Sequence, residues 1–157
     1  MTTSQWLLMF HITSAFFFVG GSVAAAILNT LAIRAERPSE SAALLRLVRV
    51  TLPVIFVGVA GTLVFGIWLW HELGYSFGAA WIWLSLVLWV VANALGGIGG
   101  RHQERSRELA ERLAEGGDEP SAELHAILRD PRANAVSYLA GAATLAILVL
   151  MIWKPGS

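Results

Sequence analysis

Four long stretches of this chain contain no Asp, Glu, Lys or Arg: Met1–Ile33, Val50–His71, Leu73–Gly100 and Ala133–Trp153, of 33, 22, 28 and 21 residues. Crossing about 30 Å of hydrocarbon at about 1.5 Å per residue takes roughly 20 residues in a helix. Each stretch is long enough. The predicted spans cover about 5–33, 50–71, 79–100 and 133–153. A barrel strand would alternate polar and apolar residues, whereas Trp81–Ala92 is apolar on every side. The fold class expected is therefore all-α, an integral membrane four-helix bundle running up-down-up-down as a single domain. A composition of 56% hydrophobic and 14% charged residues in 157 agrees, because a soluble domain of that size cannot hide so much apolar surface. The first stretch lacks a leading basic residue and outruns the apolar core of a cleaved leader, so it is read as a span.

The charged residues set an orientation. Arg34, Arg37, Arg46 and Arg49 lie in one connection and Arg101, Arg105, Arg107, Arg112, Arg129 and Arg132 in another, leaving Lys154 alone at the opposite side. The positive-inside rule makes both connections cytoplasmic and both termini external, in a bacterial inner membrane. Trp6, Trp68, Trp70, Tyr75, Trp81, Trp83 and Trp153 fall near the outer boundary, forming a one-sided aromatic belt or the wall of a site. Eleven basic residues balance eleven acidic ones, so nothing recruits nucleic acid; the surrounding partner is the lipid bilayer. Residues 101–130 read as a cytoplasmic helical hairpin. Helix 3 continues through 101–115 to a stop at Gly116-Gly117, and a short helix follows with Leu124, Ile127 and Leu128 on one face, resting on the bundle or on headgroups.

Small residues recur every fourth position, as in Gly58, Thr62 and Gly66, giving ridges along which helices pack in lipid, within the bundle or in a homo-oligomer. No charged side chain lies inside a span, which argues against a carboxylate-coupled pump. What remains is a polar stripe: His11, Ser14, Ser22 and Asn29 on helix 1, with Asn93 on helix 3. With Arg34 and Arg49 as rulers for the inner boundary, His11 and His71 stand 23 and 22 residues up helices 1 and 2. They are expected level near the outer face. A level pair of imidazoles on neighbouring helices can hold haem b by its two axial positions, and no cysteine is needed or present. Lys154 or Trp N–H groups would meet the propionates. The bland alternative keeps His71 as an interfacial residue and His11 as a satisfied polar group.

The segment Leu7-Leu8-Met9-Phe10-His11, followed by Phe18-Val19-Gly20-Gly21, resembles the first helix of a group of small bacterial membrane proteins. These are a family of predicted four-helix integral membrane proteins of unknown function and, more distantly, the copper-resistance D family and HemJ-type protoporphyrinogen oxidases. In the HemJ-type proteins the helix 1 histidine is associated with haem, which the resemblance carries to His11 alone. The chain departs from that family in lacking basic residues within helix 3. The expected function is membrane haem b binding through His11 and His71, as iron ligands in electron transfer or as a membrane oxidoreductase, with a lipid quinone or a partner redox protein exchanging electrons. The alternatives are a transport or channel component for a small solute or copper along the helix 1 stripe, and an accessory subunit of a larger membrane complex.

Overall fold

A computed structural model describes residues 2–76 and 78–155. All regular structure among them is helical: α1 (Thr3–Arg34), α2 (Pro38–Glu72), α3 (Ala80–Glu115), α4 (Ala122–Leu128) and α5 (Pro131–Trp153). Four helical stretches are long and apolar enough to cross a membrane, as the charge-free gaps predict. The backbones approach most closely along α1 with α2 and along α3 with α5, and α2 joins the two pairs through α3.

The α1–α2 turn differs from expectation. The charge pattern predicts a connection over 34–49, yet only Ala35, Glu36 and Arg37 lie between the helices. Pro38 opens α2, its fixed φ and missing N–H suiting the first turn, and Arg49 is already eleven residues inside the helix. Pro53 consequently lies well inside the helix. Near it the Thr51 hydroxyl donates to the Val48 carbonyl at 2.7 Å.

A tight turn fixes the register of an antiparallel pair. Ser41 Oγ donates to the Ala32 carbonyl, Gly21 faces Ile55, Gly58 faces Ser14 and Phe18, and Gly66 faces His11. A methyl group at Gly58 would overlap the Phe18 amide and come within 2.8 Å of both Phe18 Cα and the Ser14 carbonyl oxygen. Only glycine lets the two backbones touch there, which in lipid is where helix association gains its energy.

Carried along the molecule, this register makes two planes. Trp70 packs edge-on against Trp83 at 5.9 Å, and Lys154 lies over Trp81, so Trp6, Trp68, Trp83 and Trp153 share one height. All four are exposed, as a lipid-facing belt requires. Arg49 meets Glu104 at 3.8 Å, placing the second plane at Arg49, Arg101 and Arg132. Nineteen residues of α2 separate Trp68 from Arg49. That is about 28 Å of helix, the thickness of a hydrocarbon core.

Beyond the arginine plane the chain builds a small core of the soluble kind. Leu124 and Leu128 of α4 are buried against Ala32, Ala42, Leu45 and Ala110, with Leu109, Leu113 and Ile127 around them. Burying one such leucine contributes about 1.5–3 kcal/mol. The hairpin at 101–130 therefore rests on α1, α2 and α3. His102 Nε2 donates to the Ile127 carbonyl at 2.9 Å, tying α3 to α4. A charge ladder joins α2 to α3: Arg46 to Glu111 at 2.7 Å, and Arg107 to Glu111 at 2.6 Å and to Glu104 at 2.7 Å. The Arg107 guanidinium beside Glu104, and that of Arg46 beside Glu111, hold both carboxyls below the ordinary carboxylate range.

The N-terminus of α2 has no side-chain cap of its own. Asp118, in a left-handed conformation (φ 57°) after the Gly116-Gly117 stop, supplies it from 79 residues away. Its carboxylate accepts from the Ser39 amide and the Ser39 hydroxyl, both at 2.7 Å, and these bonds hold the carboxyl below its usual range.

Candidate functional site

His11 is half-buried on the face of α1 that packs against α2. Its Nδ1 lies 3.1 Å from the Thr62 carbonyl oxygen. A carbonyl can only accept, so Nδ1 carries the proton and, in the neutral ring, Nε2 keeps the lone pair. Gly66 makes room for this orientation: a Cβ there would sit 3.0 Å from His11 Cε1 and 3.2 Å from Nδ1. An imidazole held through Nδ1–H by a backbone carbonyl, with Nε2 basic, is the arrangement that orients histidine ligands at metal sites.

His71 is not beside it. His71 is exposed at the end of α2, five residues beyond Gly66 and nine beyond Thr62. The offset is about 7–14 Å along the axis. The expectation of a level pair fails because Arg34 and Arg49, its two rulers, are not level: the three-residue turn puts Arg34 opposite the first turn of α2. His11 and His71 do not face one another across a space for one iron.

The polar stripe of α1 faces α2. Ser14 is buried, its hydroxyl donating to the Phe10 carbonyl and its Oγ lying against Gly61; Ser22 donates to the Phe18 carbonyl. The glycines of α2 cover the line that a conduit from His11 to Asn29 would follow. Asn29 lies on the arginine-rich side of the second plane, a long way from His11. Asn93 on α3 donates to the Trp89 carbonyl of its own helix at 2.7 Å. His11 and Ser14 are thus brought together, while His71, Ser22, Asn29 and Asn93 are spread over other heights and faces.

Sequence reasoning passed over Trp89. The register that puts Trp70 against Trp83 sets Trp89 level with about Val64, and so with His11. Its Nε1 is buried and has no hydrogen-bond partner among the described residues. The signal was available: Trp89 is the one tryptophan in the third apolar stretch that stands well away from the outer boundary.

The aromatic residues at the other plane divide in two. Trp6, Trp68, Trp83 and Trp153 point outward, while Trp70, Tyr75 and Trp81 form a clasp around Lys154. Trp70 Nε1 donates to the Tyr75 carbonyl at 3.0 Å, and Lys154 Nζ donates to the Tyr75 hydroxyl at 3.0 Å, lying 5.3 and 5.8 Å from the Tyr75 and Trp81 rings. Lys154 is thus engaged in holding the end of α5.

Residues 5–155, nearly the whole chain, match a known family, the one described as "Predicted integral membrane protein (DUF2269)". The chain belongs to this family. Membership of DUF2269 agrees with the four candidate spans and with a bilayer as the surroundings. No curated protein and no solved structure matches this DUF2269 chain. Among the described residues no group of three or more His, Cys, Asp or Glu is placed to hold a bare metal ion.

Proposed function

We propose that this DUF2269 protein binds haem b in the membrane, that His11 would hold it through Nε2, and that it serves electron transfer or redox chemistry there. The observation that carries the proposal is the His11 Nδ1–H bond to the Thr62 carbonyl, which leaves Nε2 as the donor. Two others support it. Trp89, at the same depth, leaves a buried indole N–H without a partner among the described residues, as Trp81 does at the outer plane, and the resemblance read in Leu7–Gly21 to the HemJ-type helix implies a haem-associated histidine. A porphyrin supplies four nitrogen ligands itself, so a lone imidazole suffices where a bare ion would need a cluster.

The residues present would hold such a group through His11 and do not fit the pair His11 and His71. The ring of His11 lies directly on α2, at Thr62 and Gly66, with no layer for a macrocycle between it and that helix. His71 stands outside the site in this reading. When bound, the haem supplies a one-electron couple. The chain's own part is to fix the tautomer through Thr62, to raise the basicity of Nε2 by accepting from Nδ1–H, and to admit the ring at Gly66. The electron partner is a lipid quinone or a redox protein. We also assign the arginine-rich end to the cytoplasm of a bacterial inner membrane, from the positive-inside rule.

Protein purified from haem-replete cells is expected to show a Soret band that shifts on reduction with dithionite. His11→Ala is expected to lose it, and His71→Ala to retain it. A colourless protein yielding no haem on extraction overturns the proposal.

A further inference from the structure

The planes that bound three of the spans do not bound α1. Arg49, Arg101 and Arg132 end the apolar parts of α2, α3 and α5 at one height, and α1 passes that height near Ala25. Residues 26–33 carry on beyond it with no charged side chain. Ile27 and Leu31 are 56% and 46% exposed there, in line with Val23, which is 53% exposed below the plane. On α2 the same happens: Leu47, 51% exposed, continues the line of Val50 and Val54 past Arg49. Spacings of three and four put each set on one helix face. Both lines run without a charged side chain from the membrane-facing surface into the region beyond the arginines, and the exposed Thr30 beside Ile27 turns its hydroxyl onto the Ala26 carbonyl of its own helix at 2.8 Å.

At the same height the groove between α2 and α3 carries the opposite chemistry. Glu104, Arg107 and Glu111 with Arg46 and Arg49 form the charge ladder, and carboxylates are too costly to sink into hydrocarbon. One side of the cap belongs in water and the other in lipid. Leu31 stands six residues above Ala25, about 9 Å. A tilt of about 20°, ordinary for membrane helices, sets one edge of a bundle two helices across, about 20–25 Å, some 7–9 Å deeper than the other.

We propose that the molecule sits tilted in the bilayer with its α1 edge deeper, so that the leaflet at the arginine-rich end covers Ile27, Leu31 and Leu47. Arg34, one turn past Leu31 and exposed, then lies among the lipid phosphates. The occupant of this surface is lipid, because the surface is continuous with the one that lipid already covers.

The chain has no cysteine, so single replacements report cleanly. Ile27→Cys, Leu31→Cys and Leu47→Cys are compared with Glu40→Cys and Phe16→Cys in nanodiscs of phosphatidylcholine and phosphatidylglycerol, where both faces are reachable. A water-soluble maleimide is expected to label the first three at least about tenfold more slowly than Glu40→Cys, as it does Phe16→Cys, since burial in lipid removes both the reagent and the thiolate. A fluorophore attached at 27, 31 or 47 under detergent is expected to be quenched by acyl-chain nitroxide lipids after reconstitution. Labelling as fast as at Glu40→Cys overturns the proposal, since the face is then in water. Slow labelling without lipid quenching also overturns it, since protein, a second copy included, then covers the face.

Discussion

At the level of single residues, His11 shows how little of an imidazole's chemistry is written in its own position. The polar stripe marked His11 and Ser14 as facing a neighbour, and they do. The neighbour's offerings, a carbonyl at Thr62 and an absent side chain at Gly66, decide which nitrogen is free. Nitrogen NMR of selectively labelled protein is expected to show neutral His11 as the Nδ1–H tautomer. Gly66→Val, whose branched side chain has no room beside Cε1, is expected to push the ring off Thr62 and abolish that preference while the helices remain folded. Unchanged His11 signals in Gly66→Val contradict the packing described here. The pairing of His11 with His71 was illegible for a related reason: heights counted from arginines presuppose where the turn lies, and Pro38 moved it.

Among the helices, the closest association, α1 with α2, runs along glycines and small polar residues. Spacing-four glycines on α2 are readable from the sequence as a packing ridge, and Gly58 and Gly66 do receive α1. A second run of small residues at that spacing, Ala92, Gly96 and Gly100 on α3, behaves differently: a Cβ added at Gly96 or Gly100 would meet nothing within 4 Å, while one at Gly99, off that run, would sit 3.3 Å from Ser137 Oγ. Periodicity identifies a smooth face without saying what approaches it. Gly58→Ala is expected to cost about 1–3 kcal/mol of the α1–α2 association, because its methyl meets backbone atoms that cannot step aside. Gly20→Ala, which meets nothing within 4 Å, is expected to stay within about 0.5 kcal/mol. Steric-trapping or detergent-unfolding measurements on the two variants check the contrast. Equal effects would remove Gly58 from its place as the contact point.

For the whole molecule, two solvents divide the fold. Within the spans, shape holds the helices together; beyond the arginine plane, the Leu124 and Leu128 core, the charge ladder and the Asp118 cap do so in the ordinary aqueous way. The carboxyls of Glu104, Glu111 and Asp118 lie below their usual ranges in the folded chain. Their contribution is therefore complete above the ordinary carboxylate range and is lost as pH falls through it toward the lowered folded values. Amide exchange in α4, corrected for intrinsic pH dependence, is expected to rise about tenfold or more between neutral pH and pH 3, with the spans unaffected. Asp118→Asn is expected to weaken the Ser39 cap at neutral pH and remove part of that dependence. The sequence by itself determined the four spans and which of their faces are smooth or polar, because lipid penalises every charge and rewards an unbroken apolar run whatever the neighbours are. Tertiary structure alone decided that α2 starts at Pro38, that His11 answers to Thr62 rather than His71, and that Asp118 caps a helix 79 residues away. Those facts depend on which residues of separate helices share a height, and a three-residue turn sets that height while leaving the hydropathy of the chain unchanged.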